Sequence, residues 1–304
     1  MQGFLSRISV VPSINMLNFA ILELTNAMTP IEAMQVYQET SRTDWRFEAK
    51  HPRAADKVEA FTQAVRHALS KIVLLMRAAG KPKLERFVRS EPVPGIKFFT
   101  DGTGGTDKSL LICFAGNGGR MMMPLPAFLQ HIDARQADVV LLADPMKQGF
   151  RNGISGIAPN IIALVEQVSR VVPAGYRDIK VMGTSAGGIP ALLVAAHSSA
   201  TRVLAIGAGQ PDDDRWPLVD GLTLRQMLAD AAPKLAGKHI VLAYGVDSSP
   251  DPEAAEALKE IIPNATPLAV SLEGKPAEHS FLADLGLEGR LAGFLADNLA
   301  FENK

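Results

Sequence analysis

The stretch from Lys180 to His197 constrains this chain more than any other. Before Gly183 it is short and apolar, as a buried strand is. After Ser185 it becomes a run of small and aliphatic residues with a helical pattern. Between the two sits Gly183-Thr184-Ser185-Ala186-Gly187, a G-x-S-x-G sequence at a strand-to-helix switch. A turn that sharp forces the central serine into a strained backbone conformation, and the flanking glycines carry no Cβ to collide with the neighbouring strand or helix. The following helix directs its free amides and positive dipole end toward any chemistry at the serine.

The surrounding sequence supplies the context such a turn needs. Ile96–Thr100 and Ser109–Ala115 read as strands separated by the turn Asp101-Gly-Thr-Gly-Gly105, and further apolar runs follow at Asp138–Ala143, Ile179–Gly183, Arg202–Gly207, His239–Gly245 and Pro267–Leu272. Helical patterns fall between most of them, at Pro124–His131, Pro159–Val172, Ala186–His197, Thr223–Ala236 and Pro252–Ile262, and a last one is expected at Gly286–Leu299. Strands buried on both faces, each followed by a helix, predict an α/β fold with a mostly parallel sheet and helices on both sides. Ligands of such sheets bind past the carboxyl ends of the strands.

Residues 1–90 read differently and form an expected N-terminal helical segment, with a catalytic domain over 91–304. Thr29-Pro30-Ile31-Glu32 is a helix start, with proline at the first position and an acid in the first turn. From Ala54 to Ala79, Val58, Phe61, Val65, Ala68, Leu69, Ile72 and Leu75 recur at three- and four-residue steps, until Gly80-Lys-Pro-Lys83 ends the pattern. This segment carries no catalytic pattern; a cap, an oligomerisation arm or a scaffold layer are its possible roles.

Composition limits the partners. A formal net charge of −1 gives no reason to expect nucleic acid or an anionic membrane. The single cysteine, Cys113, excludes an intramolecular disulfide and any CxxC metal site, and its apolar surroundings mark it as a core thiol. No cofactor or metal motif is present. The apolar stretch Ile8–Leu24 is interrupted by Pro12, Asn15, Asn18 and Glu23 and lacks the basic start and cleavage site of a secretory signal, and no segment has the length of a membrane span, so a cytoplasmic protein is expected.

A serine hydroxyl needs a base to take its proton and a third group to orient that base. His131, His197 and His239 lie at helix ends or strand starts, away from the carboxyl edge of the sheet; His197 is also about 18 Å from Ser185 along its helix. His51 and His67 belong to the N-terminal segment. His279, in the loop Glu273-Gly-Lys-Pro-Ala-Glu-His-Ser-Phe281 after the last strand, is the expected base. The acid is expected after the preceding strand. Asp247 comes immediately past its end and is preferred, whereas Asp251 reads as the N-cap of the helix opening at Pro252. Asp212-Asp213-Asp214 is the remaining source of an acid.

The order Ser185, Asp247, His279 resembles the nucleophile–acid–base order of the α/β-hydrolase superfamily, over about residues 93–304. The resemblance implies a serine hydrolase cleaving a small-molecule carboxylic ester or thioester through an acyl-enzyme, with two donors facing the tetrahedral oxyanion. One is the N–H of Ala186. The other comes from the loop Ala115-Gly116-Asn117-Gly118-Gly119-Arg120, where Asn117 aligns as the donor and Gly116 or Gly118 are alternatives. Ala115 departs from the histidine that many relatives carry there.

Arg120 stands where it would grip a substrate carboxylate or phosphate, or cap a surface. Met121 and its neighbours Met122 and Met123 would line an acyl pocket or pack a helix start, and Trp216 would overhang the site or anchor its own loop. Other readings compete: a non-catalytic α/β-hydrolase-like binding or scaffold protein, an acyltransferase with the same triad, or a patatin-like dyad with Asp220-Gly221 as its acid motif.

Overall fold

A computed structural model describes residues 2–301, apart from 94, 104, 106, 172–174, 215, 217 and 220. Three short helices open the chain: α1 (Gln2–Ser9), α2 (Ile14–Thr25) and α3 (Pro30–Thr40). A 3-10 stretch, Pro52–Lys57, leads into the long α4 (Val58–Ala78). Strands and helices then alternate: β1 (Val88–Val93), β2 (Ile96–Thr100), β3 (Ser109–Phe114), α5 (Leu125–Gln130), β4 (Ala137–Leu142), α6 (Ile161–Val171), β5 (Asp178–Thr184), α7 (Gly188–Ala196), β6 (Ala200–Ile206), α8 (Leu224–Leu235), β7 (His239–Gly245), α9 (Pro250–Ile261), β8 (Ala265–Val270), α10 (Leu282–Leu287) and α11 (Leu291–Leu299).

The strands form one eight-stranded sheet in the order β1-β2-β4-β3-β5-β6-β7-β8. The β1–β2 and β2–β4 pairs are antiparallel and every other pair is parallel. This is the mostly parallel sheet that the alternation of strands and helices predicted. Its register brings the ends of the central strands level: Phe114 pairs with both Leu142 and Gly183, and Thr184 pairs with Ile206. The loops that leave β3, β5 and β6 therefore start side by side.

Strand alternation sorts the core into two layers. On β3, Leu111 and Cys113 face one cluster, while Leu110, Ile112 and Phe114 face the other. The first cluster also takes in Met182, Leu204 and Val241 and receives the helices of the N-terminal segment together with α5, α10 and α11. The second receives α6, α7, α8 and α9. Phe4, Leu17, Ile21, Phe61 and Leu69 are thus continuous with the core under the sheet, and the expected boundary at residue 90 falls inside β1. Among the described residues no helix is long and apolar enough to cross a membrane.

Local chemistry accounts for the helix ends. The expected start at Thr29 is a full capping box: Thr29 accepts from the Glu32 amide and Glu32 accepts from the Thr29 amide. The apolar stripe of α4 is buried through Phe61, Val65, Leu69, Ile72 and Met76, although the turn before Val58 is 3-10 rather than α. The single helix expected over Gly286–Leu299 is two helices. Gly289, at φ +71°, ends α10, with its N–H on Gly286 O and the Arg290 N–H on Leu285 O, a Schellman closure that breaks the path.

Candidate active site

The turn at Ser185 is built as its sequence demands. Thr184 ends β5 in extended backbone, and Ser185 then takes φ +52°, in the left-handed region that a non-glycine residue rarely occupies. A 3-10 turn over Ser185–Gly187 passes into α7. The glycines are sterically required. A Cβ on Gly183 would overlap the carbonyl of Gly187, and one on Gly187 would overlap the carbonyl of Phe114.

Ser185, Ala186, Asn117, Asp251, Trp216 and His279 all line one cleft of about 840 Å³ at the carboxyl edge of the sheet. The volume is within the usual range for small-molecule sites. The loop after β3 crosses directly over the serine, and a Cβ on Gly116 would lie 3.2 Å from Ser185 Cβ. Within this loop the Gly119 N–H donates to Gly116 O at 2.8 Å, and the Gly116 N–H to Arg120 O at 3.2 Å.

His279 follows β8, as expected, but its carboxylate partner is Asp251. Nδ1 of His279 is 2.9 Å from Asp251 Oδ2 and 3.1 Å from Oδ1. Asp251 does not cap the helix; α9 begins at Pro250, so Asp251 stands in its first turn, buried at the positive end of the helix dipole. The expected partner, Asp247, is engaged elsewhere. Its Oδ2 accepts the Ala277 N–H at 2.7 Å, and its own N–H donates to Ala277 O at 3.0 Å. Asp247 thus clamps the chain two residues before His279. The hydrogen bond to Asp251 raises the His279 pKa above its ordinary value, against the opposing pull of partial burial.

Two glycines that the sequence reading passed over make this pairing possible. Gly207, at the end of β6 with φ +54°, backs onto the pair, and a Cβ there would sit 2.8 Å from His279 Cε1 and 3.2 Å from Asp251 Oδ2. Gly245, at the end of β7, lies against the carbonyls of Ala277 and Glu278, where any side chain would block the histidine loop. The signal available in the sequence was a glycine closing each strand, which alone does not say what approaches it.

A second unforeseen part is the loop after β4. Asp144 is buried and accepts the backbone N–H groups of Met146, Gln148 and Phe150, at 2.9, 2.7 and 3.1 Å. Around this carboxylate Lys147, Gly149 and Phe150 all adopt positive φ. Gly149 comes close enough to the elbow that its Cβ would lie 3.2 Å from Ala186 Cβ. The loop forms one wall of the cleft through Lys147, Gln148 and Gly149.

The remaining candidates divide. Trp216 lines the cleft, with the Arg151 guanidinium 5.7 Å over its ring and Arg151 also 3.6 Å from Asp213. Asp212 is held by Arg225. Arg120 does not line the cleft; it folds against Gly118, half-buried, and desolvation lowers its pKa. Met121 and Met123 are buried in the core beneath the sheet, packing rather than lining. Asp220 lies outside the described residues. His131 is buried away from the cleft, where desolvation lowers its pKa to about 4, and His197 is at the far end of α7 beside Lys234. Cys113 is a buried free thiol whose pKa burial drives up.

No family model and no curated protein matches the chain. Solved structures do. The chain is similar to a membrane phospholipase A described as a bacterial virulence factor, at TM-score 0.51 and 15% identity, over 81% of this chain and 94% of that one. It is also similar to esterase B from Lactobacillus rhamnosis, at TM-score 0.49 and 15% identity over 79% and 96% of the two chains. A dienelactone hydrolase from Anabaena variabilis aligns at TM-score 0.47 and 15% identity, over 71% and 96%. At such identities the likeness is one of fold: with its eight-stranded, mostly parallel sheet flanked by helices, the chain has the α/β-hydrolase fold.

Proposed function

We propose that the protein is a serine hydrolase that cleaves a small-molecule carboxylic ester or thioester through an acyl-enzyme on Ser185. His279 is the base and Asp251 the acid that orients it, the role the sequence pattern assigned to Asp247. The observation that carries this reading is the His279–Asp251 pair, 2.9 Å apart, sharing a cleft with a serine held at φ +52°. A strained serine and a carboxylate-oriented histidine are of no evident use to a protein that only binds, which favours catalysis over the scaffold reading.

The chemistry follows from the groups present. With Nδ1–H donated to Asp251, His279 carries its free lone pair on Nε2 and takes the Ser185 proton as Oγ bonds to the substrate carbonyl carbon. The carbonyl oxygen becomes an oxyanion, received by the Ala186 N–H at the start of the helical turn and by the Asn117 N–H of the facing loop; the Gly116 N–H, expected from the sequence as an alternative donor, is instead given to Arg120 O. The imidazolium then protonates the departing alcohol or thiol as its bond to carbon breaks. Water repeats the sequence on the acyl-enzyme, giving up its proton to His279 and releasing the acid with Ser185 restored.

Labelling with a fluorophosphonate probe, alongside hydrolysis of a p-nitrophenyl ester, tests the assignment. Wild-type protein is expected to label and turn over, and Ser185→Ala and His279→Ala to do neither. A folded wild type that resists the probe, or full ester cleavage in His279→Ala, would overturn it.

A further inference from the structure

One side chain from the N-terminal helical segment reaches the loop beside Ser185. Asn26 is the residue that ends α2, with its N–H on Leu22 O, and the tight turn through Ala27 and Met28 leads straight into the capped start of α3. Arg89 of β1 donates to the carbonyl of Ala27 and lies 3.8 Å from Glu32. The corner is therefore anchored both to its own helices and to the sheet. From it, buried Asn26 donates Nδ2–H to Gly118 O at 2.9 Å, across 92 residues of sequence.

The carbonyl it holds belongs to the Gly118–Gly119 peptide. The N–H of that same peptide, on Gly119, is bonded to Gly116 O. A peptide unit is planar, so a tie at its oxygen and another at its hydrogen fix the orientation of the whole plane. This matters because Gly116, Gly118 and Gly119 have wide conformational freedom, and the loop amides between them must point at one place in the cleft. The other end of the Asn26 amide is unanswered: Oδ1 is buried with no hydrogen-bond partner among the described residues. A buried orphan acceptor offsets what one hydrogen bond contributes to folding, so stability alone is a poor reason for an asparagine here.

We propose that Asn26 is a positioning residue for the oxyanion loop, which makes the N-terminal segment part of the catalytic apparatus; the proposal rests on the reading of Ser185 and its facing loop given above. Asn26 touches no substrate. It keeps the loop amides aimed at the oxyanion, so it acts on the transition state and leaves ground-state binding nearly untouched.

The test compares wild type with Asn26→Ala and with the near-isosteric Asn26→Asp, which cannot donate to Gly118 O. Expected for both are a fall in kcat of about 30-fold with KM within about 3-fold, and a matching loss of affinity for a trifluoromethyl ketone that forms a tetrahedral adduct. The melting temperature of Asn26→Ala is expected within about 3 °C of wild type. Wild-type kcat in either folded variant, equal losses for the ketone and a product carboxylate, or failure of both variants to fold would each overturn the proposal. A wild type inert to fluorophosphonate and ester brings down the hydrolase reading itself; a reactive wild type with an equally reactive Asn26→Ala brings down this inference alone.

Discussion

Asp251 meets His279 from inside the first turn of α9, with Oδ2 2.9 Å from Nδ1 and the carboxylate shielded from water. Asp247, nearer the end of β7, holds the backbone of Ala277 instead. Asp251→Asn leaves a side chain that no longer enforces the Nδ1–H tautomer, and kcat is expected to fall about 10³-fold. Asp247→Asn still meets the Ala277 N–H through its amide oxygen and is expected to lose about 10-fold or less. Steady-state kinetics on the same ester separates the two, and the reverse ranking would return the acid role to Asp247.

The hydrogen bond that His279 Nδ1–H donates to Asp251 raises the His279 pKa, and only the neutral imidazole can accept the serine proton. The kcat/KM profile is therefore expected to rise with pH through a midpoint above the ordinary histidine value of about 6.5. In Asp251→Asn, whatever activity remains should show a lower midpoint. The stability contribution has the opposite slope. A raised folded-state pKa stabilises the protein fully below the unfolded value and loses that contribution as pH rises through the folded one. Denaturant midpoints measured from pH 5 to 9 would reveal it, and its absence in His279→Ala would assign it.

The left-handed backbone of Ser185 is a cost carried for the site. Ser185→Gly relieves it and Ser185→Ala does not. Both are expected to be inactive, with the glycine variant more stable than the alanine variant by about 1 kcal/mol in urea unfolding. Equal stabilities would mean the turn is not strained.

Asp144 satisfies three backbone amides in the loop that walls the cleft beside Ala186. Charge-assisted bonds to a buried carboxylate are strong, and their loss leaves three donors unanswered. Asp144→Ala is expected to cost about 3 kcal/mol of stability and to raise KM more than it lowers kcat, because the wall shapes the cleft and takes no part in proton transfer. Urea unfolding and ester kinetics on one preparation check both.

Much of this molecule was legible in one dimension because its signals are local. The unbroken apolar run Leu110–Phe114, the stripe of α4 from Val58 to Leu75 and the helix start at Thr29-Pro30-Ile31-Glu32 depend on residues within a few positions of each other. β1 was missed because its sequence, Val-Arg-Ser-Glu-Pro-Val, is an almost wholly exposed edge strand with little apolar pattern to betray it. The two halves of the C-terminal helix were merged because Gly289 interrupts an apolar pattern that carries on through it.

The sequence by itself determined the strained serine, the strand edge at which it stands, and the candidate histidine. The first two follow from steric rules that act along the chain, and the third from its place in the loop after the last strand. Tertiary structure decided the rest: that Asp251 faces His279 while Asp247 holds the loop, that Gly207 and Gly245 vacate the space for that loop, and that Asn26 reaches Gly118 across 92 residues. The physical reason is the same in each case. Which carboxylate meets a histidine, or which amide meets a carbonyl, is a matter of ångströms between elements far apart in sequence, and those distances exist only once the sheet has set where each loop begins.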